Sequence, residues 1–582
     1  MIAAQSEVRD GMRLEFDIAI EADDGAILRA DVFRPLTGGT CPVILSYGPY
    51  AKGMSFPDSR PYAWKHLVDR YPEVTNGSSN QYQNWEVVDP EKWVSDGYAV
   101  VRVDARGTGR SSGYIDPWSP RETKDLYDCI EWAGRQPWSS GKVGLNGISY
   151  YAINAWQVAA LQPPHLTAIC AWEGATDHYR DVCYHGGIFS EFLTNWFPRG
   201  VIPMQHGAGE RGPRSKVTGE LVTGPETLPD DELARNRNDI VASALAHPFD
   251  DAYHRARSAE LERIVVPFLS AANWGGQGLH LRGNVEAFTR AASNHKWLEV
   301  HGDAHWTHFY TDYGIGLQKR FFAYFLKGEQ NSWDRQPRVQ LQLRHPGETF
   351  ILRHENEWPI ARTQWTKLYL DPVTRGLERK ANTSSVVLDY DAAGAGLTFS
   401  TTPLSQAVEI TGPVSAKLFV SSATADADLF LILHVFAPDG EEVVFQGAQD
   451  PHTPVAQGWL RASRRKLDSV RTLTYRPYHA HDEDRPLTPG KPVELDIELW
   501  PTCIVVPPDY RIALTVRGKD YEYGRGPTIV PGVPFPQTGV GPFLHTNPAS
   551  RPAEIFNATN LLHFGADFEP WVLLPIIPTP TI

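Results

Sequence analysis

The first stretch with chemistry to offer is Gly147-Ile148-Ser149-Tyr150. A short apolar run (KVGLN, 142–146) ends just before it and a helix-forming stretch (150–161) begins just after, so Ser149 falls on a strand-to-helix turn. Such a turn lifts the hydroxyl clear of the backbone, and Gly147 gives room for the bend. The amide of Tyr150 then faces outward from a helix N-terminus, where partial positive charge gathers. A nucleophile and one oxyanion donor are thereby in place. The usual G-x-S-x-G pattern is broken at its second glycine, which is Tyr151 here. A serine nucleophile needs an imidazole, whose pKa of about 6.5 lets it take the proton and return it to the leaving group. His301, His305 and His308 stand together after the apolar run 296–300.

Other chemistries find less support. Cys41, Cys129, Cys170, Cys183 and Cys503 are scattered and show neither a disulfide framework nor metal-ligand spacing. His178, His185 and His206 have no regular ligand spacing and read as structural or pocket-lining. The glycine-rich loop after Asp104 and Arg106 lacks the lysine of a phosphate cradle and reads as a structural loop with an internal Asp–Arg contact. A net charge of −14 argues against generic binding of nucleic acid or anionic membranes. No stretch reaches the roughly 18 unbroken apolar residues of a membrane helix, and the N-terminus has no apolar core of signal-peptide length. The expectation is a soluble cytoplasmic protein that needs no metal or organic cofactor. A homo-oligomer is compatible with it.

The elements that position these residues alternate. Strand-like runs at 14–20, 27–33, 42–47, 98–103, 142–146, 166–172, 264–271 and 296–300 are interleaved with helical stretches at 122–135, 150–161 and 315–327. That alternation predicts a parallel sheet covered on both faces. Residues 175–260 interrupt it, and their helix-forming end (230–262) predicts a helical cap. A second insertion, about 53–93, carries Tyr62, Trp64, Tyr71, Tyr82 and Trp85; connections of that length are often functional. From about 338 the segments are short and β-rich, which predicts a jelly-roll β-sandwich. The expected division is a core in two parts, 1–175 and 263–337, a cap at 176–262 and a sandwich at 338–582.

Gly141 to Tyr150 (GKVGLNGISY) resembles the nucleophile segment of the cocaine esterase / X-prolyl dipeptidyl peptidase / α-amino-acid ester hydrolase family. Val103 to Gly113 (VDARGTGRSSG) is similar to its DxRGxGxSxG loop. Glu131-Trp132 with Gln136-Pro137-Trp138, and Gly458 to Ser463 (GWLRAS), match further segments in order. The resemblance spans nearly the whole chain. It implies an α/β-hydrolase core, a helical cap and a C-terminal jelly roll. It also implies that Tyr50, in the pair Pro49-Tyr50, supplies the second oxyanion donor, and that the base sits in a W-x-H pattern. Trp306-Thr307-His308 fits that pattern, making His308 the expected base and His305 the alternative.

The acid departs from the family. Its Asp, in a W-x-D pattern, is replaced here by Gly276 in Asn273-Trp274-Gly275-Gly276. Ala171-Trp172-Glu173 ends the next strand inward, on the same sheet edge. Triads are defined by geometry, so Glu173 is the expected acid, with Asp303 and Asp177 as alternatives. Trp172, Trp274 and Trp306 are expected to line the substrate pocket. The reading is a serine hydrolase that cleaves a small-molecule carboxylic ester through an acyl-enzyme. An amidase or aminopeptidase is the alternative. A hydrolase-fold binding protein without turnover is the alternative of another class.

Overall fold

The computed structural model describes residues 5–36 and 38–578. Its first sheet is built from β1 (Gln5–Arg9), β2 (Met12–Glu21), β3 (Ile27–Pro35), β4 (Cys41–Gly48), β5 (Ala99–Asp104), β6 (Ser139–Ile148) and β7 (Leu166–Trp172). A small hairpin in the cap supplies β8 (Tyr184–His185) and β9 (Ile188–Phe189). The sheet resumes with β10 (Phe268–Asn273), β11 (Lys296–His301), β12 (Val339–His345) and β13 (Thr349–Glu355). The spatial order is β1-β2-β3-β5-β4-β6-β7-β10-β11-β12-β13. From β5 to β12 every neighbouring pair is parallel. These strands are buried on both faces, which is why they read as continuous apolar runs such as Val43-Ile44-Leu45.

Three details differ from the sequence reading. The strand expected from 264 begins at Phe268. Pro267, just before it, has no N–H to give to a ladder, and Val265 is exposed. The cap's helix-forming end is broken into three short helices, Asp230–Arg235, Ile240–Ala246 and Ala252–Arg255. Residues 338–344 and 350–353, expected in the sandwich, belong to β12 and β13 and extend the first sheet. They cover the open edge of β11, and that edge would otherwise present unpaired backbone groups.

The C-terminal sheet is antiparallel, anchored by the long pairing of Val408–Ser422 with Val493–Val506. Its inward residues, among them Leu418, Leu431, Leu433, Ile497 and Leu514, form a separate apolar core. The chain is therefore an α/β-hydrolase core carrying a cap, followed by an all-β sandwich. Among the described residues no helix is long and apolar enough to cross a membrane.

Candidate active site

Four parallel strands end together. Ile148 lies opposite Trp172, Trp172 opposite Ala271, and Asn273 opposite His301. The residues that follow each strand therefore collect at one carboxyl edge. Ser149 sits there at φ 57°, ψ −110°, a strained conformation for a residue with a Cβ. It is held by its own amide, which donates to the carbonyls of Trp172 (3.0 Å) and Glu173 (3.1 Å). Its side chain stays half-buried and reachable. The missing second glycine is explained by two others. A Cβ on Gly147 would come within 2.6 Å of the Tyr151 Cβ, and one on Gly48 within 2.5 Å of its ring. The chain has kept a large residue at 151 by emptying the positions it packs against.

Glu173 is fully buried, beside Ser149 in chain contact, and its backbone has φ 48°. Its Oε2 meets His305 Nδ1 at 2.8 Å, and its Oε1 meets His301 Nε2 at 3.2 Å. Asn273 donates to the same Oε1 (3.3 Å). Burial alone would raise the carboxyl pKa, but the charge of His305 and the bonds from both imidazoles outweigh it and bring it to about 2. His305 is pushed down by burial and up by Glu173 and Glu86, and reaches about 10. His301, gripped by Glu299 (2.6 Å) and Glu173, is likewise raised against burial to about 9.

A further histidine completes the cluster. His280 Nε2 lies 3.1 Å from Ser149 Oγ, and its ring stacks on that of His305, with centroids 4.9 Å apart and planes 7° apart. Burial and the neighbouring charge of His305 lower its pKa to about 3. Its buried Nδ1 has no hydrogen-bond partner among the described residues. His305 Nε2 in turn contacts Glu86 Oε1 at 3.1 Å.

The expected residues distribute as follows. Glu173 and Ser149 are brought together, but the imidazole on Glu173 is that of His305. His308 makes no hydrogen bond to either residue; it packs against the rings of Tyr71, His301 and Tyr313. The loop after β11 is short, and the residue four past its end, not seven, reaches back over Glu173. Asp303 spends its carboxylate on Tyr71, Arg70 and the Ala304 amide. Asp177 caps the Tyr179 and Arg180 amides and pairs with the Arg180 guanidinium.

Tyr50 ends the turn after β4, and Trp196 Nε1 donates to its phenol oxygen (3.0 Å), which leaves the phenol hydrogen free to donate. The Tyr150 amide lies in the first turn of the helix Tyr150–Ala159, where amides have no intrahelical acceptor. The Tyr150 side chain itself turns away, to Glu122 (2.7 Å). Of the three aromatics expected at the pocket, Trp172 and Trp274 are fully buried, the first stacked on His301 and the second hydrogen-bonded to the Gln342 carbonyl. Trp306 is half-buried, against Trp85 from the 53–93 insertion. The sequence reading missed Glu86, His280 and His301 in their roles. Glu86 had a signal, since it lies in that over-long insertion. His280 stands four residues past Gly276, where no motif marks it.

Among the described residues, two groups bring three potential metal ligands within 4.8 Å of one another: Glu173, His280 and His305, and His178, Cys183 and His254. In each, donors already bond one another, as Glu173 does with His305 and His178 with His254 (2.8 Å). The glycine-rich loop is structural. Asp104 accepts from the Lys52 and Arg110 amides, while Arg106 pairs with Asp125 and not with Asp104.

Comparison with known proteins places the whole chain among hydrolases of one family. Residues 24–310 match the X-Pro dipeptidyl-peptidase (S15 family), and residues 331–568 match the X-Pro dipeptidyl-peptidase C-terminal non-catalytic domain. A cocaine esterase of Rhodococcus is 26% identical, over 96% of this chain and 98% of its own. A putative serine esterase of Mycobacterium bovis is 25% identical, over 75% of this chain and 82% of its own. The crystal structure of a CocE/NonD family hydrolase from Staphylococcus aureus superposes with a TM-score of 0.84 at 30% identity, covering 99% of this chain and 97% of that one.

Proposed function

We propose, from the premise that this chain belongs to the cocaine esterase / X-Pro dipeptidyl-peptidase / α-amino-acid ester hydrolase family, that Ser149, His305 and Glu173 are its triad. The chain is a serine hydrolase of carboxylic esters. The observation that supports the triad is the Glu173–His305 bond of 2.8 Å beside the strained Ser149 turn. A base must hold the proton through a tetrahedral transition state, and a carboxylate on the far ring nitrogen stabilises the imidazolium that results. His305 has that carboxylate. His280 touches Ser149 but has none, and its lowered pKa makes it a poor proton holder.

In this reading Ser149 Oγ turns from His280 to its stacked neighbour as it attacks the ester carbonyl. His305 takes the proton and passes it to the departing alcohol. The Tyr50 hydroxyl and the Tyr150 amide hold the oxyanion; one such donor is worth about 3–4 kcal/mol. Water then releases the acid. An ester is favoured over an amide because an alkoxide leaves more readily than an amine. A fluorophosphonate should label wild-type protein at Ser149 and leave Ser149→Ala unlabelled. His305→Ala should lose turnover of a p-nitrophenyl ester far more than His308→Ala. Equal losses in the two histidine variants would overturn the assignment.

A further inference from the structure

Glu86 faces the imidazole nitrogen that, in the triad reading, serves the outgoing alcohol and the incoming water. In a serine hydrolase the base uses one ring nitrogen in turn for the serine, the leaving group and the hydrolytic water. In this chain that nitrogen, His305 Nε2, faces Glu86 Oε1 at 3.1 Å. The carboxyl group is buried, with the residue 3% exposed, and its second oxygen, Oε2, has no hydrogen-bond partner among the described residues. An unpartnered buried carboxylate oxygen is costly to keep. The backbone around it is pinned in place. The Glu86 carbonyl accepts from the Ile148 amide (2.9 Å), directly before the nucleophile, and its amide meets the Tyr310 hydroxyl (2.5 Å). Its φ is 65°, a conformation a glutamate adopts only under constraint. The 53–93 insertion thus delivers one carboxylate to the nucleophile turn and leaves one of its oxygens free.

We propose that Glu86 holds and orients the water that hydrolyses the acyl-enzyme. The proposal rests on the Ser149–His305 reading. Once the alcohol has left, the direct 3.1 Å contact between Nε2 and Oε1 opens to admit a water that bridges the imidazole and the carboxylate. Its oxygen bonds to the acyl carbon, and one of its protons passes to His305 Nε2. Its other O–H is held by Glu86. The tetrahedral adduct then collapses. The bond from Ser149 Oγ to the acyl carbon breaks, the proton on Nε2 returns to Oγ, and a carboxylic acid departs. Glu86 is left unchanged.

The two half-reactions separate the idea from a structural role. With p-nitrophenyl acetate, Glu86→Gln should still release a burst of p-nitrophenol close to one per enzyme. Its steady-state rate should then fall at least tenfold, with the acetyl group detected on Ser149 by intact-protein mass. Hydroxylamine, which attacks without a base to take its proton, should restore turnover. Glu86→Asp, whose carboxylate is drawn back by one methylene, should show the same split, which covers the case in which Glu86→Gln does not fold. A parallel fall in acylation and deacylation, no fall in either, or a slow phase that hydroxylamine does not relieve would overturn the proposal. If the triad reading itself were wrong, His305→Ala would still acylate Ser149 at close to the wild-type rate, an outcome distinct from all of these.

Discussion

At the scale of single residues the site is decided by which carboxylate each imidazole faces. His305 lies between Glu173 and Glu86, and both hold its proton against the effect of burial. As a base it must be neutral, so its raised pKa places the acid limb of kcat/KM above neutrality. Replacing Glu86 by Gln removes one of the two charges that raise it. His280, stacked on its face, is kept neutral and adds no charge to offset that loss. The limb should therefore move to lower pH in Glu86→Gln, and a pH profile of kcat/KM on a neutral ester checks the direction. Glu173 acts on the same ring from the other side. Glu173→Gln keeps its size but no longer stabilises the imidazolium, and kcat should fall by about 10⁴, as for a triad Asp→Asn change. A loss below tenfold in steady-state assays would remove Glu173 from the triad.

At the scale of elements the nucleophile turn depends on exchanges between strands. Tyr151 fills the space that the usual second glycine leaves empty, and Gly48 at the end of β4 gives way to its ring. Gly48→Ala should therefore cost about 1–3 kcal/mol through overpacking. In a Tyr151→Ala background the same change should cost almost nothing, because the ring it meets is gone. Denaturant midpoints of the four proteins measure this coupling. The example also shows how far the sequence could be read. The apolar runs of β4, β5, β6, β7 and β11 were legible because strands buried on both faces have no other composition. Ser149 was legible because a strand, a glycine and a helix meet there. Glu173's place against an imidazole could be anticipated because the family's usual acid position holds Gly276, and the neighbouring strand end offered a carboxylate. The choice between His305 and His308 was not legible, since it turns on the path of a loop of a few residues. Glu86 was legible only as part of an over-long insertion, and His280 not at all. His280 sits in a turn whose spacing carries no period, and only tertiary packing brings the two to the sheet edge.

At the scale of the whole molecule, the sandwich takes part in positioning His305, the proposed base. The amide of His305 donates to the Ala448 carbonyl (3.2 Å), and the Ala448 amide donates to the Gly275 carbonyl (3.1 Å). One strap of the C-terminal domain thus joins the loop that carries His305 to the turn that follows β10. Gln277 adds bonds to the carbonyls of Pro454 and Val455 (3.1 and 3.3 Å), and Arg344 on β12 reaches the Cys503 carbonyl (2.7 Å). The strap passes so close that Gly275 has no room for a side chain. A Cβ there would lie 2.5 Å from the Gln446 carbonyl oxygen and 2.7 Å from the Gly447 Cα, both backbone atoms that cannot rotate away. Gly275→Ala should therefore push the strap outward and take His305 with it. Displacing a catalytic group by about 1 Å can cost on the order of 10² in rate, so kcat should fall by about that factor while the protein stays folded. The same variant should label more slowly with a fluorophosphonate, because the displaced group is the proposed base for Ser149. Near-normal kcat together with a lowered melting temperature would show that the strap supports the fold but not the imidazole.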